Sequence, residues 1–510
     1  MIAELVATNA RLVERVTALE RAAGRNSGNS GMPPSTDDLP GRKRPAPRRA
    51  KGSGRDRGKQ KGAPGSWLPW VAEPDEHVSH RPQGSCGCGA DLAGAAEVRV
   101  ERSHQSHDLP EIKIVVRQHD IYRVRCECGR EHVATLPGDV SSAPSSYGLN
   151  IKSLVVYLLV YQHVPVARCV ELVADLTGGT GPSTGFVHGM LDRVADALHE
   201  VVDLIKTLIT LSYVVGFDET TLRAGPAGTK RYVLSAVTEL YSLFGLGGRD
   251  LGSFRDFDIL PDFAGIAVHD RYRNYYNEGW THLAAHQACC SHLLRDFTDA
   301  AQAHPDAVWP EQAQRALRGL IHAFNQARDA GQPEIAPLVR DPLISSFRHA
   351  VRVGLAEVPA NPGPRSNTKQ PPGRVLLEFC RDRETDVLLF VTDTRIWPTN
   401  NISERGLRPT KTQQKISGRL PSEIITQDRL DIRSYIDTMR KHGVDVLTGI
   451  PRRPHRKPLA ATTVRAHLSA AQPQHTPTTP TRRHPEPAAF KHVRNQHVNV
   501  YPSACLSVET

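Results

Sequence analysis

The 510-residue chain has no apolar run of about 18 residues or more, which excludes an ordinary membrane-spanning helix. Its first residues, Met1-Ile2-Ala3-Glu4, lack the basic-then-apolar pattern of a secretory leader. The cysteines number nine, and an odd count without a leader does not read as a disulfide framework. Acid is nearly absent from two segments. Residues 41–62 hold ten Lys/Arg, among them Arg42, Lys43, Arg44, Arg48 and Arg49, against Asp56 alone; in residues 451–510 the only acids are Glu486 and Glu509. These segments carry the basic excess of a chain whose formal net charge is +10, and the remainder is net acidic. Flexible basic arms condense on a phosphate backbone, so DNA contact through the first arm is expected.

Ile2, Leu5, Asn9, Leu12, Val16 and Leu19 recur at alternating steps of three and four, a heptad seam with a polar residue at a core position. Self-association through a short coiled coil is the expectation; a helix packed on its own protein is the alternative. Arg25-Asn26-Ser27-Gly28-Asn29-Ser30 opens a Gly/Pro-rich basic linker that cannot bury a core. Cys86-Gly87-Cys88-Gly89 and Cys126-Glu127-Cys128-Gly129 then form two knuckles, whose four thiolates suit tetrahedral zinc, with His80 and His132 as substitute ligands. Ile112–Val116 and Ile121–Val124 between them read as strands. Residues 147–210 read as helical, with a Gly178-Gly179 turn and Ser183-Thr184 opening a second helix, the outline of a helix-turn-helix.

The period changes at residue 211. Leu211–Phe217, Tyr232–Val237, Tyr241–Leu246, Gly265–Val268 and Leu283–Cys289 read as strands, first antiparallel and then alternating with helices, the order of a ribonuclease-H-like fold. Asp218 and Asp270 each follow an apolar strand and are favoured over Glu219, Asp250, Asp256, Asp258 and Asp262. Glu219 would point to the opposite face, and Asp256 and Asp258 lack a strand before them. Helical patterns at Ser291–Ala303, Trp309–Ala330 and Ile344–Ala356 fill the interval to the next carboxylate. Cys289-Cys290-Ser291-His292, followed by Arg295, is open to two readings: a functional signature following the second aspartate, or a buried cysteine and a helix-start histidine.

That next carboxylate lies in Pro398-Thr399-Asn400-Asn401-Ile402-Ser403-Glu404-Arg405-Gly406-Leu407-Arg408-Pro409-Thr410-Lys411. Asn400 and Asn401 read as helix caps, and Glu404 as one turn before Arg408. A lone carboxylate among Arg405, Arg408, Lys411 and Lys415 suits a metal that must meet a polyanion; an i,i+4 surface ion pair is the plain alternative. Three carboxylates can hold two metals about 3.5–4 Å apart for in-line phosphoryl displacement, and Mg²⁺ suits such oxygen ligands.

In combination these motifs resemble the transposases of the IS66 insertion-sequence family, with an acidic-triad (DDE) core, over residues 1 to about 450. The resemblance implies that Asp218, Asp270 and Glu404 are catalytic and bind Mg²⁺ (or Mn²⁺). It implies DNA as partner, both terminal inverted repeats and target, joined through a freed 3′-hydroxyl by a homo-oligomer, with small accessory proteins from the same element. Arg405, Arg408, Lys411, Lys415, Asn400 and Asn401 are then DNA-contact candidates beside the arm. A cytoplasmic, nucleoid-associated bacterial protein is expected. An inactive DNA-binding remnant and a stand-alone nuclease are the alternatives.

The expected architecture is α+β multidomain: a coiled-coil helix (1–24), basic linker (25–66), zinc-finger-like module (67–140), helical DNA-binding region (141–210), ribonuclease-H-like core (211–290), helical insertion (291–392), the core's second part with Glu404 (393–450), and a disordered basic tail (451–510).

Overall fold

The computed structural model describes residues 68–450, except 111, 113, 139, 180 and 365–367, together with scattered positions between 8 and 24. The linker and tail, and with them Arg42, Lys43, Arg44, Arg48 and Arg49, lie outside the described residues. The described positions between 8 and 24 are helical and leave Leu12, Val16 and Leu19 of the heptad seam exposed.

In the cysteine module, β1 (Arg123–Arg125) pairs antiparallel with β2 (Glu131–Val133), and the second knuckle is the turn between them. The strand expected at Ile112–Val116 is absent among its described residues, where Val115 and Val116 are exposed and nothing buries an apolar face. Of the two strand candidates only Ile121–Val124 overlaps a strand, β1, and its partner β2 matches none of the expected strands; the hairpin's ladder is flanked by the Arg123–Glu131 and Arg125–Glu131 ion pairs.

Helix α1 (Leu149–Val156) runs into a π-helical turn (Tyr157–Tyr161), followed by α2 (Val166–Leu176) and α3 (Thr184–Thr210). Ser183 caps α3 by accepting the Phe186 N–H, 3.1 Å. Gly178 and Gly179 make the turn at φ of 74° and 100°, where other residues are strained.

Short runs that are apolar at every position belong in a sheet covered on both faces. Val214–Phe217 and Ile266–Val268 are such runs, and they lie at its centre. The strands are β3 (Val214–Leu222), β4 (Arg231–Val237), β5 (Ser242–Gly247), β6 (Ile266–His269) and β7 (Ala285–Ala288), in the order β5-β4-β3-β6-β7. β3, β4 and β5 are antiparallel; β6 and β7 run parallel to β3. The short helix α4 (Leu251–Asp256) lies between β5 and β6.

After β7 come α5 (Cys290–Ala303), α6 (Trp309–Asp329), α7 (Pro337–Glu357), α8 (Pro372–Asp382), α9 (Glu384–Leu388), α10 (Asn401–Ile416), α11 (Glu423–Lys441) and α12 (Val446–Gly449). The insertion is not a separate body. Trp309, Phe297, Phe347 and Leu377 share one apolar cluster with Val214, Ile266 and Val268 of the sheet. A smaller cluster seats α10 and α11 on the sheet through Leu407, Leu430, Val233 and Phe244.

The helical region is pinned to the core by polar contacts. Arg429 donates to the Leu159 carbonyl (2.9 Å), and Ser417 Oγ to that of His163 (2.5 Å). His163 is buried, and burial together with the charges of Arg433 and Arg429 holds its imidazole down to about 4. A group depressed on folding contributes stability above its unfolded pKa near 6.5 and loses it as pH falls toward 4. The metal-free protein is therefore expected to lose on the order of 3 kcal/mol through this window. His163→Asn, which tolerates the left-handed φ of 58°, should flatten that dependence in thermal melts at pH 7 and pH 5.

Candidate active site

Asp218 is not at a strand end. β3 continues to Leu222 because its ladder with β4 runs on to the Leu222–Arg231 pair, whereas the parallel ladder with β6 stops at Gly216–Val268. The same register carried two residues further sets Asp218 beside Asp270, the residue after β6. Glu404 arrives in the first turn of α10. Burial raises the Asp218 carboxyl well above the usual range, and the charges of Glu219, Asp270 and Glu404 raise it further. Asp270 accepts the Tyr272 N–H at 2.7 Å. Glu404 Oε1 is buried without a hydrogen bond; Arg295 Nη2 stands 3.5 Å from it, an ion pair too long to satisfy it.

The helix carrying Glu404 is fastened to the sheet by the residue before its first turn. Asn400 occupies the cap position, but its side chain does not cap. Its Nδ2 donates to the Phe217 carbonyl (2.6 Å), its N–H to Cys289 Sγ (3.2 Å), and its carbonyl accepts the Glu404 N–H (3.1 Å). Gly216 makes the close approach possible: a Cβ there would come within 2.5 Å of Ser403 Oγ and 2.6 Å of Asn400 Oδ1. Gly216→Ala should therefore destabilise the protein by about 1–3 kcal/mol, read as a lowered midpoint in denaturant, because α10 must lift from β3.

Side chains alternate along β3, so Glu219 leaves by the other face. There Arg249 Nε donates to its Oε1 (2.5 Å) and the Tyr275 hydroxyl to its Oε2 (2.6 Å). Burial and the charge of Asp270 raise Glu219, while Arg249 opposes the shift. Arg249 reaches both carboxylates, with Nη2 3.8 Å from Asp270, and lies over the Tyr272 ring at 3.9 Å. Arg249 and Tyr275 carried no signal in the sequence, one lying in a loop and the other in a single 3-10 turn, neither with any periodicity; Arg295 stood beside a weak one.

The cation cluster on α10 divides. Arg405, Arg408 and Lys415 are exposed, as is Asn401. Lys411 is half-buried and donates to Thr221 through the carbonyl (2.9 Å) and Oγ1 (2.8 Å); burial and nearby Arg223 hold its ammonium down to about 8. It is a tie to β3 rather than a free phosphate clamp, and buried Asn400 is likewise out of reach of DNA. Glu404 pairs with Arg295, not with the Arg408 that the i,i+4 reading expected.

Away from this edge, the two knuckles have one backbone design. Cys86 and Cys126 N–H donate to the Ala90 and Arg130 carbonyls, both 2.8 Å, and Gly89 and Gly129 turn at φ of 90° and 83°. The thiols of Cys86, Cys88, Cys126 and Cys128 are exposed and free, and no three of them converge within 4.8 Å. The hairpin of α2 and α3 turns ten α3 residues inward, chiefly onto α11 and β5. Much of the presumed reading helix is thus committed to the fold. No described helix is long and apolar enough to cross a membrane.

A family model described as Transposase IS66 family matches residues 144–424, a span that takes in β3, β6, α5 and α10 with all three carboxylates. A family of unknown function (DUF6444) matches residues 1–68. None of the curated proteins compared with the chain matches it. Since the first match covers more than half of the 510 residues, the chain belongs to the IS66 family of transposases, enzymes that process DNA.

Proposed function

We propose that this transposase cuts the terminal inverted repeats of its element and joins the 3′-hydroxyl ends to target DNA, using divalent metal held by Asp218, Asp270 and Glu404. The reading rests on Asp218 feeling the charges of both Asp270 and Glu404 at one sheet edge, although the three carboxylates do not close to within 4.8 Å of one another as Cys289, His292 and Glu404 do. The sheet order, three antiparallel strands then two parallel, supports a ribonuclease-H-like core. The residues fit Mg²⁺ or Mn²⁺: the donors are all carboxylate oxygens, Glu404 Oε1 lacks a hydrogen bond, and burial, with the charges of Glu219, Asp270 and Glu404, raises the Asp218 carboxyl in a way a bound cation would relieve. When bound, the metal would activate the attacking oxygen and stabilise the leaving one.

The chain's own residues do the rest. Asn400 and Gly216 fix Glu404 against β3. Arg295 balances Glu404 and would turn toward a phosphate once a cation takes its place, whereas Arg249, held by Glu219, would offer a phosphate only the Nη2 that now faces Asp270. Arg405, Arg408 and Lys415 lie along the exposed side of α10 and would follow the DNA backbone; each would lower the salt dependence of binding when removed. The basic arm would add sequence-independent affinity, and the exposed heptad seam would join copies so that two ends are held together. The knuckle thiols would take structural zinc if the two turns close on one ion.

The test is full-length protein with a linear duplex ending in the element's inverted repeat, in Mg²⁺ or in EDTA. The expected result is a cut at the repeat end that leaves a 3′-hydroxyl, transfer of that end into a plasmid, and neither event in EDTA. Cutting without preference for the end would identify a stand-alone nuclease. Repeat binding with no cutting in Mg²⁺ or Mn²⁺ would identify an inactive remnant.

A further inference from the structure

The start of α5 and the start of α10 are stitched together, and the stitch contains an unusual set of donors. Cys290 N–H donates to the Pro398 carbonyl (2.9 Å), and Asn400 N–H to Cys289 Sγ (3.2 Å). Cys289 stands at the N-cap of the 14-residue α5, and His292 lies in the first turn of that helix. The Cys289 sulfur, a His292 ring nitrogen and a Glu404 carboxylate oxygen all lie within 4.8 Å of one another. Two of the three residues carry a buried polar atom without a hydrogen-bond partner, His292 Nδ1 and Glu404 Oε1. Orphaned buried polar atoms are uncommon, and two of them beside one thiol call for a shared partner.

Sulfur, nitrogen and oxygen donors in one cluster do not suit Mg²⁺, which takes oxygen ligands. They suit Zn²⁺, which combines thiolate, imidazole and carboxylate and accepts three protein ligands with one open position. The Asn400 N–H donates to the sulfur as an outer-sphere partner does and opposes the burial that raises the Cys289 thiol to about 11, so ligation must displace that proton.

We propose that Cys289, His292 and Glu404 form a second metal site, selective for Zn²⁺, that shares Glu404 with the triad. Binding releases the Cys289 thiol proton to solvent and involves no redox step. Zn²⁺ on this set draws Glu404 away from Asp218 and Asp270, so zinc acts as an inhibitor that a chelator reverses. This consequence rests on the triad reading given above; the site itself does not.

Co²⁺ is the spectroscopic probe, titrated into the metal-free full chain. Thiolate-to-cobalt charge transfer and the visible bands of four-coordinate cobalt report ligation directly. The knuckle thiols contribute too, so the site is read by difference. Wild type is expected to take up one cobalt more than Cys289→Ser, with a matching loss of charge-transfer intensity, and His292→Gln should weaken that one cobalt by at least about 10-fold. Melts of each metal-free variant establish that it is folded; should Cys289→Ser not fold, His292→Gln, which removes a ligand of this site alone, is read against wild type in its place. Equal cobalt uptake and equal charge-transfer intensity in wild type and the folded ligand variants would overturn the site.

The zinc concentration that halves Mg²⁺-dependent end cleavage, relative to each protein's own zinc-free rate, should rise at least about 10-fold in His292→Gln. A cobalt difference with unchanged zinc sensitivity leaves the site standing and removes its link to the triad. A chain that never cleaves DNA fails the transposition reading while the cobalt result still decides the site.

Discussion

Asp218→Asn is expected to lower DNA end cleavage by about 10³-fold or more while raising the melting temperature of the metal-free protein. The two effects have one cause. Asp218 is held near Glu219, Asp270 and Glu404 in a site that burial makes poor at solvating charge, so its carboxyl is raised well above the ordinary value. A group raised on folding contributes stability at low pH and withdraws it as pH climbs through the folded pKa. Asparagine keeps the shape and can still accept the Glu219 N–H, 2.9 Å in the wild type, but carries no charge to repel. The gain in melting temperature should therefore be larger at pH 8 than at pH 5. Added Mg²⁺ should stabilise wild type more than the variant, because a ligand has gone. Asp270→Ala should lose cleavage to a similar degree with DNA binding retained. Calorimetry with and without Mg²⁺, beside an end-cleavage assay, checks the set; wild-type cleavage by Asp218→Asn would remove Asp218 from the chemistry.

Trp309→Ala is expected to cost about 3–5 kcal/mol and to lower a single unfolding transition rather than create a second one. Trp309 is fully buried, lies 6.3 Å from the Phe297 ring in an edge-on contact, and packs where a Cβ on Gly354 would come within 2.8 Å of its indole. The same apolar cluster reaches Val214, Ile266 and Val268 of the sheet. A cavity at Trp309 should thus loosen the sheet edge that carries Asp270 along with the insertion. Far-ultraviolet and near-ultraviolet circular dichroism melts should coincide. If the helices unfolded first and left the sheet standing, the shared core would be disproved.

The strands of the core were legible because short, mostly apolar runs bounded by polar turns have few other uses, and the five runs after residue 211 all overlap strands. The cysteine module was less legible. Apolar residues at 112–116 looked like a strand, but a strand needs a covering partner, and these side chains stay in solvent. The helix after Asn400 was also anticipated, yet the role of Asn400 was not. A local rule assigns asparagine to a cap, whereas its amide bonds Phe217, 183 residues earlier in the chain.

By itself, the sequence determined the core strands, the longer helices and the candidate carboxylates, since apolar periodicity and the alternation of side chains on a strand are local. Alternation alone separated Asp218 from Glu219. Only the tertiary structure decided what each charged group faces. The parallel register of β3 and β6 sets Asp218 beside Asp270, and the glycine gap at Gly216 admits α10 and brings in Glu404. Packing assigned Arg295 rather than Arg408 to Glu404, turned Lys411 into a tie to β3, and gathered Cys289 and His292 against the same carboxylate. Those outcomes depend on which surfaces meet across more than a hundred residues of chain, and one-dimensional patterns do not encode that distance.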